Sequence, residues 1–164
     1  MVVGGIALEA LGVPRSTLDI DLQVRPRDPP ASQESSFQGW FIAERTRDEV
    51  FGQDVLILQG KETGGPVEVF LTSHWFTEQA LDRQTRATSG LVDREVPIPT
   101  PEDFILLKAA YQASPDRGEA KANQDRLDIE GVHDRFGDEI DRAYIEENAR
   151  RLDVWAALQP SLET

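Results

Sequence analysis

The stretch "VVGGIALEALGVPRSTLDIDLQV", residues 2–24, decides the fold predicted for this chain. Val2 and Val3 are typical of a strand end, and the pair Gly4 and Gly5 predicts a turn. A short apolar helix over residues 6–11 should follow, since glycine and proline come directly after it. Residues 17–24 then alternate as a strand does. This strand–turn–helix–strand order indicates an α/β architecture.

Two aspartates, Asp19 and Asp21, are separated by one residue on the predicted strand. Side chains alternate along a strand, so both carboxylates should share one face, about 7 Å apart, and Leu18, Ile20 and Leu22 should face a core. Two carboxylates repel each other unless a cation lies between them, and Mg²⁺ commonly binds through such oxygens together with substrate phosphates. With a glycine turn that lets backbone N–H groups approach an anion, the pattern predicts phosphoryl or nucleotidyl transfer. The alternative is an acidic, solvent-facing edge strand after an ordinary turn.

Composition excludes several other classes of protein. The chain has 164 residues, no cysteine and two distant histidines, so disulfides, zinc–thiolate sites and histidine-rich metal sites are not expected. A net charge of −13 disfavours a broad electrostatic grip on nucleic acid. No stretch approaches the roughly 20 apolar residues of a membrane span. The apolar opening contains Glu9 and has no basic flank, so we expect no signal peptide, no membrane partner and a cytoplasmic protein.

The rest of the chain divides into strands followed by helices. Strands are predicted at residues 40–45, 54–59 and 67–71, and "GKETGG" between the last two predicts a hairpin. His74 and Trp75 should begin a helix. After Pro101 the pattern predicts helices at residues 102–113, 120–136 and 138–158. We therefore predict an α/β (α+β) fold, with a small mixed β-sheet core flanked by helices over residues 1–95 and a helical C-terminal part over residues 96–164.

The motif "GGIALEALGVPRSTLDIDL" resembles the signature of the nucleotidyltransferase superfamily, which has the polymerase beta-like fold. It is most similar to the branch of the AbiEii-like toxins and minimal nucleotidyltransferases. The matching positions are Gly4, Gly5, Pro14, Arg15, Thr17, Asp19, Ile20 and Asp21. The resemblance implies that Gly4, Gly5, Arg15 and Thr17 bind the nucleotide.

A third carboxylate is expected in this superfamily, on a neighbouring strand within an apolar run. The segment "PVEVFL" supplies Glu68, at a place where the family more often has aspartate. The resemblance then implies that Asp19, Asp21 and Glu68 are catalytic and hold Mg²⁺ or Mn²⁺. The alternative for Glu68 is an ordinary exposed residue of an amphipathic strand.

The helical half also resembles the family. In "TPEDFILLKAAYQ" the matching lysine is Lys108, and in "AKANQDRLDIEGV" the matching aspartates are Asp125 and Asp128. The resemblance implies that these three residues bind nucleotide and that Lys108 is catalytic. The lysine usually found before the first aspartate is Gln124 here, and Arg117 or Lys121 could replace its charge. The alternative is a structural ion pair between Lys108 and Asp125.

The function implied by the resemblance is metal-dependent transfer of a nucleoside monophosphate from a nucleoside triphosphate to an acceptor hydroxyl. The acceptor would be an RNA end, a protein or a small molecule. A toxin–antitoxin system is one setting in which the protein would act. The alternative is a catalytically silent protein of the same fold, acting as an antitoxin or partner-binding module. The family normally carries a helix before the first strand, whereas only residues 1–3 precede the glycine pair here. Either the true start lies upstream, or the chain is a natural truncation whose exposed side we expect a protein partner or a second copy to cover.

Overall fold

A computed structural model describes residues 1–17, 19–26, 39–60, 65–90 and 94–163. Five of its strands form one mixed sheet in the order β1-β2-β5-β4-β3. Strands β2 and β5 are parallel, and the other neighbours are antiparallel. The bounds are β1 Val2–Val3, β2 Ile20–Val24, β3 Trp40–Asp48, β4 Gln53–Gly60 and β5 Val67–Leu71.

A separate two-stranded sheet pairs β6 with β7, and helices follow it along the chain. The strands are β6 Thr85–Ser89 and β7 Arg94–Ile98. The helices are α1 Gly4–Ala10, α2 Trp75–Arg83, α3 Pro101–Gln112, α4 Glu119–Phe136, α5 Arg142–Arg151 and α6 Trp155–Leu158, with single 3-10 turns at Gly137–Glu139 and Gln159–Leu162. This architecture confirms the predicted fold class, an α/β protein with a small mixed sheet and a helical C-terminal part.

Local signals in the sequence explain where α2 and α3 begin. His74 is the N-cap of α2, and its Nδ1 accepts a hydrogen bond from the backbone N–H of Phe76. Thr100 caps α3 by accepting from the backbone N–H of Asp103, and Pro101 occupies the first helical position. Such caps satisfy N–H groups that have no partner inside the helix. Both helices therefore begin within a residue of their predicted starts.

Two apolar clusters form the core of the protein. A small apolar cluster covers one face of the five-stranded sheet, formed by Leu56, Leu58, Val67 and Val69 with Leu22 and Val24 packed against it. The larger core includes buried residues from α1, from β7 and from each of the helices α3 to α6, between Ala7 and Leu162. Helix α3 is buried along most of its length, so it lies at the centre of this core. Its position brings Lys108 towards the sheet.

Three predictions about the elements were wrong. The strand predicted from residue 17 begins at Ile20, which is 38% exposed rather than in the core, and Leu18 lies outside the described residues. The helix predicted over residues 138–158 is broken, because Asp141 caps a new helix and Asp153 takes a left-handed conformation with φ 59°. Gly4 and Gly5, predicted as a turn before a helix at residues 6–11, are instead the first residues of α1, which directly follows β1. The pairing of β6 with β7 was not predicted. Of the helices in the described part of the chain, none combines the length and apolar character that crossing a membrane requires.

Candidate active site

A cavity of about 160 Å³ lies between the sheet and α3. Strands β1, β2 and β5 and helix α3 all contribute to its lining. The polar lining residues are Asp21, Gln23, Glu68, Lys108 and Arg117, and the remaining ones are Val3, Gly4, Phe70, Phe104, Leu107 and Tyr111. Gly4, Asp21, Glu68 and Lys108 were all predicted as site residues, so the fold brings together parts of the chain that are far apart in sequence.

The carboxylates of Asp21 and Glu68 come from adjacent parallel strands. The two residues are register partners, so their side chains stand beside each other on the sheet. Burial raises the pKa of Asp21 to about 6, helped by the charges of Glu68 and Asp19 and opposed by Lys108. Burial and the charge of Asp19 also raise the pKa of Glu68, while Lys121 opposes the shift. The site therefore holds like charges that only partly find a counter-charge.

The glycine pair makes room for the acidic strand. Gly4 has φ +64°, and a Cβ built on it would lie 1.9 Å from Oδ2 of Asp21. A Cβ on Gly5 would lie 2.6 Å from Cβ of Thr17. Only glycine fits either close approach, and Gly4 also has a backbone conformation that other residues rarely adopt. Gly4 thus allows the backbone to pack closely against Asp21, and Gly5 allows it to pack against Thr17.

Asp19 lies just before β2 and is exposed, and its backbone N–H donates to Oγ1 of Thr17 over 3.3 Å. Among the residues that the structure describes, no three His, Cys, Asp or Glu side chains are close enough together to hold a metal ion. The Asp19–Asp21–Glu68 metal site stays a prediction. The donor set suits it, because all three side chains offer the hard oxygen ligands that Mg²⁺ prefers and a cation would relieve their repulsion.

A buried ionic cluster adjoins the cavity. Lys108 Nζ lies 2.9 Å from Oδ1 of Asp125 and 2.8 Å from Oδ2 of Asp128, and Arg117 Nε lies 2.7 Å from the other oxygen of Asp125. Only 14% of the Lys108 side chain is exposed, and Asp125 and Asp128 are almost fully buried. The ion pair left open as an alternative is therefore present. Because Lys108 also lines the cavity, the pairing does not remove it from the site.

Asp128 has two further partners. Arg15 NH1 lies 2.8 Å from Oδ1 of Asp128, and Gln124 donates to the same oxygen over 3.0 Å. Arg15 thus contacts the ionic cluster rather than lining the cavity, and it borders a shallow groove beside Pro14 instead. Gln124 serves as a neutral donor to the carboxylate.

From the sequence, Arg117 was considered only as a substitute for the positive charge that Gln124 lacks, and Gln23 was not identified. Arg117 pairs with Asp125 and lines the cavity, so it occupies a position next to Lys108. The signal for Gln23 was present, since a glutamine two residues after Asp21 must share its face of the strand. It was missed because burial of this face beneath α3 depends on tertiary packing.

Comparisons with known proteins find similarity at the level of structure. No protein-family description matches the chain, and no curated protein matches it. Among solved structures, the chain is similar to the crystal structure of an antigenic nucleotidyltransferase-like protein from Paracoccidioides brasiliensis. The two share 21% sequence identity with a TM-score of 0.46, over 96% of this chain and 83% of the other.

Proposed function

We propose that this chain is a metal-dependent nucleotidyltransferase that moves a nucleoside monophosphate from a nucleoside triphosphate to an acceptor hydroxyl. One observation carries the proposal: two carboxylates, Asp21 and Glu68, and two cations, Lys108 and Arg117, line a single cavity. A triphosphate with a divalent ion presents the complementary arrangement, since the ion needs oxygen ligands and the phosphates need positive charge.

The carboxylates are the candidate metal ligands. Asp21 and Glu68, with Asp19 from the preceding residues, would hold Mg²⁺ or Mn²⁺. A bound divalent ion would supply charge neutralisation at the phosphates and lower the pKa of the acceptor hydroxyl. The chain itself contributes the placement of the carboxylates, which the close packing of Asp21 on Gly4 holds in position.

The ionic cluster is the candidate contact for the phosphates. Its three cations, Lys108, Arg117 and Arg15, face two carboxylates, Asp125 and Asp128, so one positive charge is in excess. Lys108 and Arg117 also line the cavity, where an ammonium and a guanidinium can both donate to phosphate oxygens. In this proposal Arg15, Asp125 and Asp128 position the cations rather than contact the nucleotide.

The size and charge of the site limit the ligand. At about 160 Å³ the cavity is smaller than the about 300–1,000 Å³ of a typical small-molecule site, so it would enclose only part of a nucleotide. The acceptor would then approach from outside. A net charge of −13 favours a protein or small-molecule acceptor over RNA.

The finer proposal is a role like that of the AbiEii-like toxins, which rests on the sequence motifs alone. It predicts nucleotidylation of a cellular RNA or protein and a partner or second copy that covers the side of the sheet at β1. A pull-down of acceptors labelled by the chain, followed by their identification, tests this role.

The decisive experiment is transfer of label from each α-³²P-labelled nucleoside triphosphate in the presence of Mg²⁺ or Mn²⁺, with tRNA and protein acceptors. We expect metal-dependent labelling that Asp21→Asn abolishes. Asp54→Asn is the matched control, since Asp54 is an exposed strand aspartate paired with Arg47. Absence of labelling and of triphosphate binding in the parent chain would refute the proposal.

A second candidate is a catalytically silent binding module. One observation favours it: the Lys108 ammonium already has two carboxylate partners, and the described residues form no preassembled metal group. Triphosphate binding by calorimetry without any transfer to the acceptors above would favour this candidate. Binding and transfer that are lost together in Asp21→Asn would exclude it.

A further inference from the structure

A chain of buried amides lies behind the carboxylates of the cavity. The Asp48 carboxylate accepts from Nε2 of Gln53 over 3.1 Å, and Gln53 Oε1 accepts from Nε2 of Gln23 over 2.9 Å. The same Gln23 nitrogen is also within hydrogen-bond reach of Oγ1 of Thr72 and of the backbone carbonyl of Phe70, so its two N–H groups are shared among three acceptors. Gln23, Gln53 and Thr72 are nearly completely buried. These contacts join β2 to β4 and to the end of β5.

The contacts determine which way each amide points. An ionised carboxylate and a backbone carbonyl can only accept hydrogen bonds. Gln53 must therefore turn its nitrogen towards Asp48 and its oxygen towards Gln23. Gln23 must then turn its nitrogen towards Gln53 and Phe70. Within the described part of the chain, every hydrogen bond of the Gln23 side chain uses Nε2, which leaves Oε1 without a donor.

This unpaired oxygen belongs to a residue of the cavity lining. Gln23 is 3% exposed and lines the cavity two residues along β2 from Asp21, on the same face of the strand. Its register partner is Phe70, and Phe104 and Leu107 line the same cavity. Gln23 Oε1 is not among the described side-chain atoms that are both fully buried and without a hydrogen-bond partner, so this oxygen is open to the cavity. A ligand that covers it without offering a donor would leave it unpaired, which is costly. A donor carried by the ligand would supply that bond.

We propose that Gln23 is a specificity-determining residue whose Oε1 accepts a hydrogen bond from a neutral donor on the nucleoside part of the substrate. The inference rests on the proposed triphosphate binding. The donor is a hydroxyl of the sugar or an N–H group of the base, which share the same chemistry. A site that hydrogen-bonds such a group rejects an analogue that lacks it, because the buried oxygen is then left unpaired.

The test measures calorimetric affinity of the parent chain, with Mg²⁺, for ATP, GTP, CTP and UTP. It then uses the 2′-deoxy and 3′-deoxy forms of the tightest binder and an analogue without the base N–H donor. We expect one analogue to bind about tenfold more weakly than its parent compound, as loss of one buried hydrogen bond implies. Which analogue loses affinity distinguishes a sugar donor from a base donor.

Two variants then assign the effect to Gln23. Gln23→Met removes the carbonyl and keeps a similar side-chain volume. In this variant the unmodified triphosphate and the analogue that the unmutated chain binds weakly should have equal affinities. Thr72→Val is the matched control: it removes one bond to the Gln23 nitrogen, while the bond from that nitrogen to Gln53 still orients the amide. The control should keep the discrimination.

Equal affinity for all analogues in the parent chain would overturn the inference while leaving the proposed function intact, and it requires no variant to fold. Discrimination that persists in Gln23→Met would overturn it as well. Absence of any triphosphate binding would overturn the inference together with the proposed function.

Discussion

Replacement of Lys108 by methionine distinguishes its structural role in the ionic cluster from its proposed contact with the phosphates. Its ammonium lies within 2.9 Å of both Asp125 and Asp128, and all three side chains are largely buried. Breaking a buried ion pair typically costs about 3–5 kcal/mol when the remaining charge has no partner. Here Arg117 stays on Asp125 and Arg15 on Asp128, so neither carboxylate is left alone. The loss should be closer to that of charged hydrogen bonds, about 1.5–3 kcal/mol.

That loss corresponds to a fall in Tm of about 3–12 °C for a chain of this length. If Lys108 also contacts the phosphates, nucleotidyl transfer by the folded variant should fall by about 10². Calorimetry gives the stability, and transfer measured well below the transition gives the activity of folded protein. Arg126→Met is the matched control, because it breaks only an i,i+4 pair with Glu130 on the surface of α4 and should cost about 0.5 kcal/mol or less.

Each result refutes a separate part of the reasoning. A Tm equal to that of the Arg126 control would show that the contacts of Lys108 with Asp125 and Asp128 stabilise the fold no more than a surface ion pair does. A lowered Tm with normal transfer by the folded fraction would show that Lys108 is purely structural.

Two further predictions follow from the fold. Gly4→Ala should lower the free energy of unfolding by about 1–3 kcal/mol, because its Cβ would collide with Asp21 and its φ is positive; urea denaturation should show no such loss for Gly118→Ala, where nothing lies within 4 Å. Burial lowers the pKa of His74 from 6.5, so the unfolded chain binds this proton at higher pH than the folded chain. The free energy of unfolding should therefore fall as pH drops below about 6.5, because protonated His74 can no longer accept the hydrogen bond from the backbone N–H of Phe76. His74→Asn keeps a helix cap that does not titrate, so it should remove this pH dependence. The same pH dependence in the variant and the unmutated chain would contradict the prediction.

The sequence was most informative where structure depends on neighbours along the chain. Strand β5 begins and ends at the predicted residues, and α3 and α4 begin one residue before their predicted starts. The long C-terminal helix was predicted wrongly because its apolar period continues through Asp141 and Asp153. Asp141 caps α5 with its side chain, which accepts from the backbone N–H of Tyr144, and Asp153 takes a left-handed backbone conformation after the helix. Periodicity reveals neither effect.

Sequence by itself determined the α/β class, the presence of a short first helix after an initial strand, and the acidic, basic and glycine residues that could form a site. Only the tertiary structure decided which of them meet. Asp21 and Glu68 are neighbours because β2 and β5 pair in parallel, although 46 residues lie between them in the sequence. The sharing of Lys108, Arg117 and Arg15 between Asp125 and Asp128 depends on the packing of α3 against α4. The orientation of the Gln23 amide depends on its hydrogen bonds to Gln53 and Phe70 across the sheet. Buried charges and amides must find partners across the fold, and no local pattern specifies which partners those are.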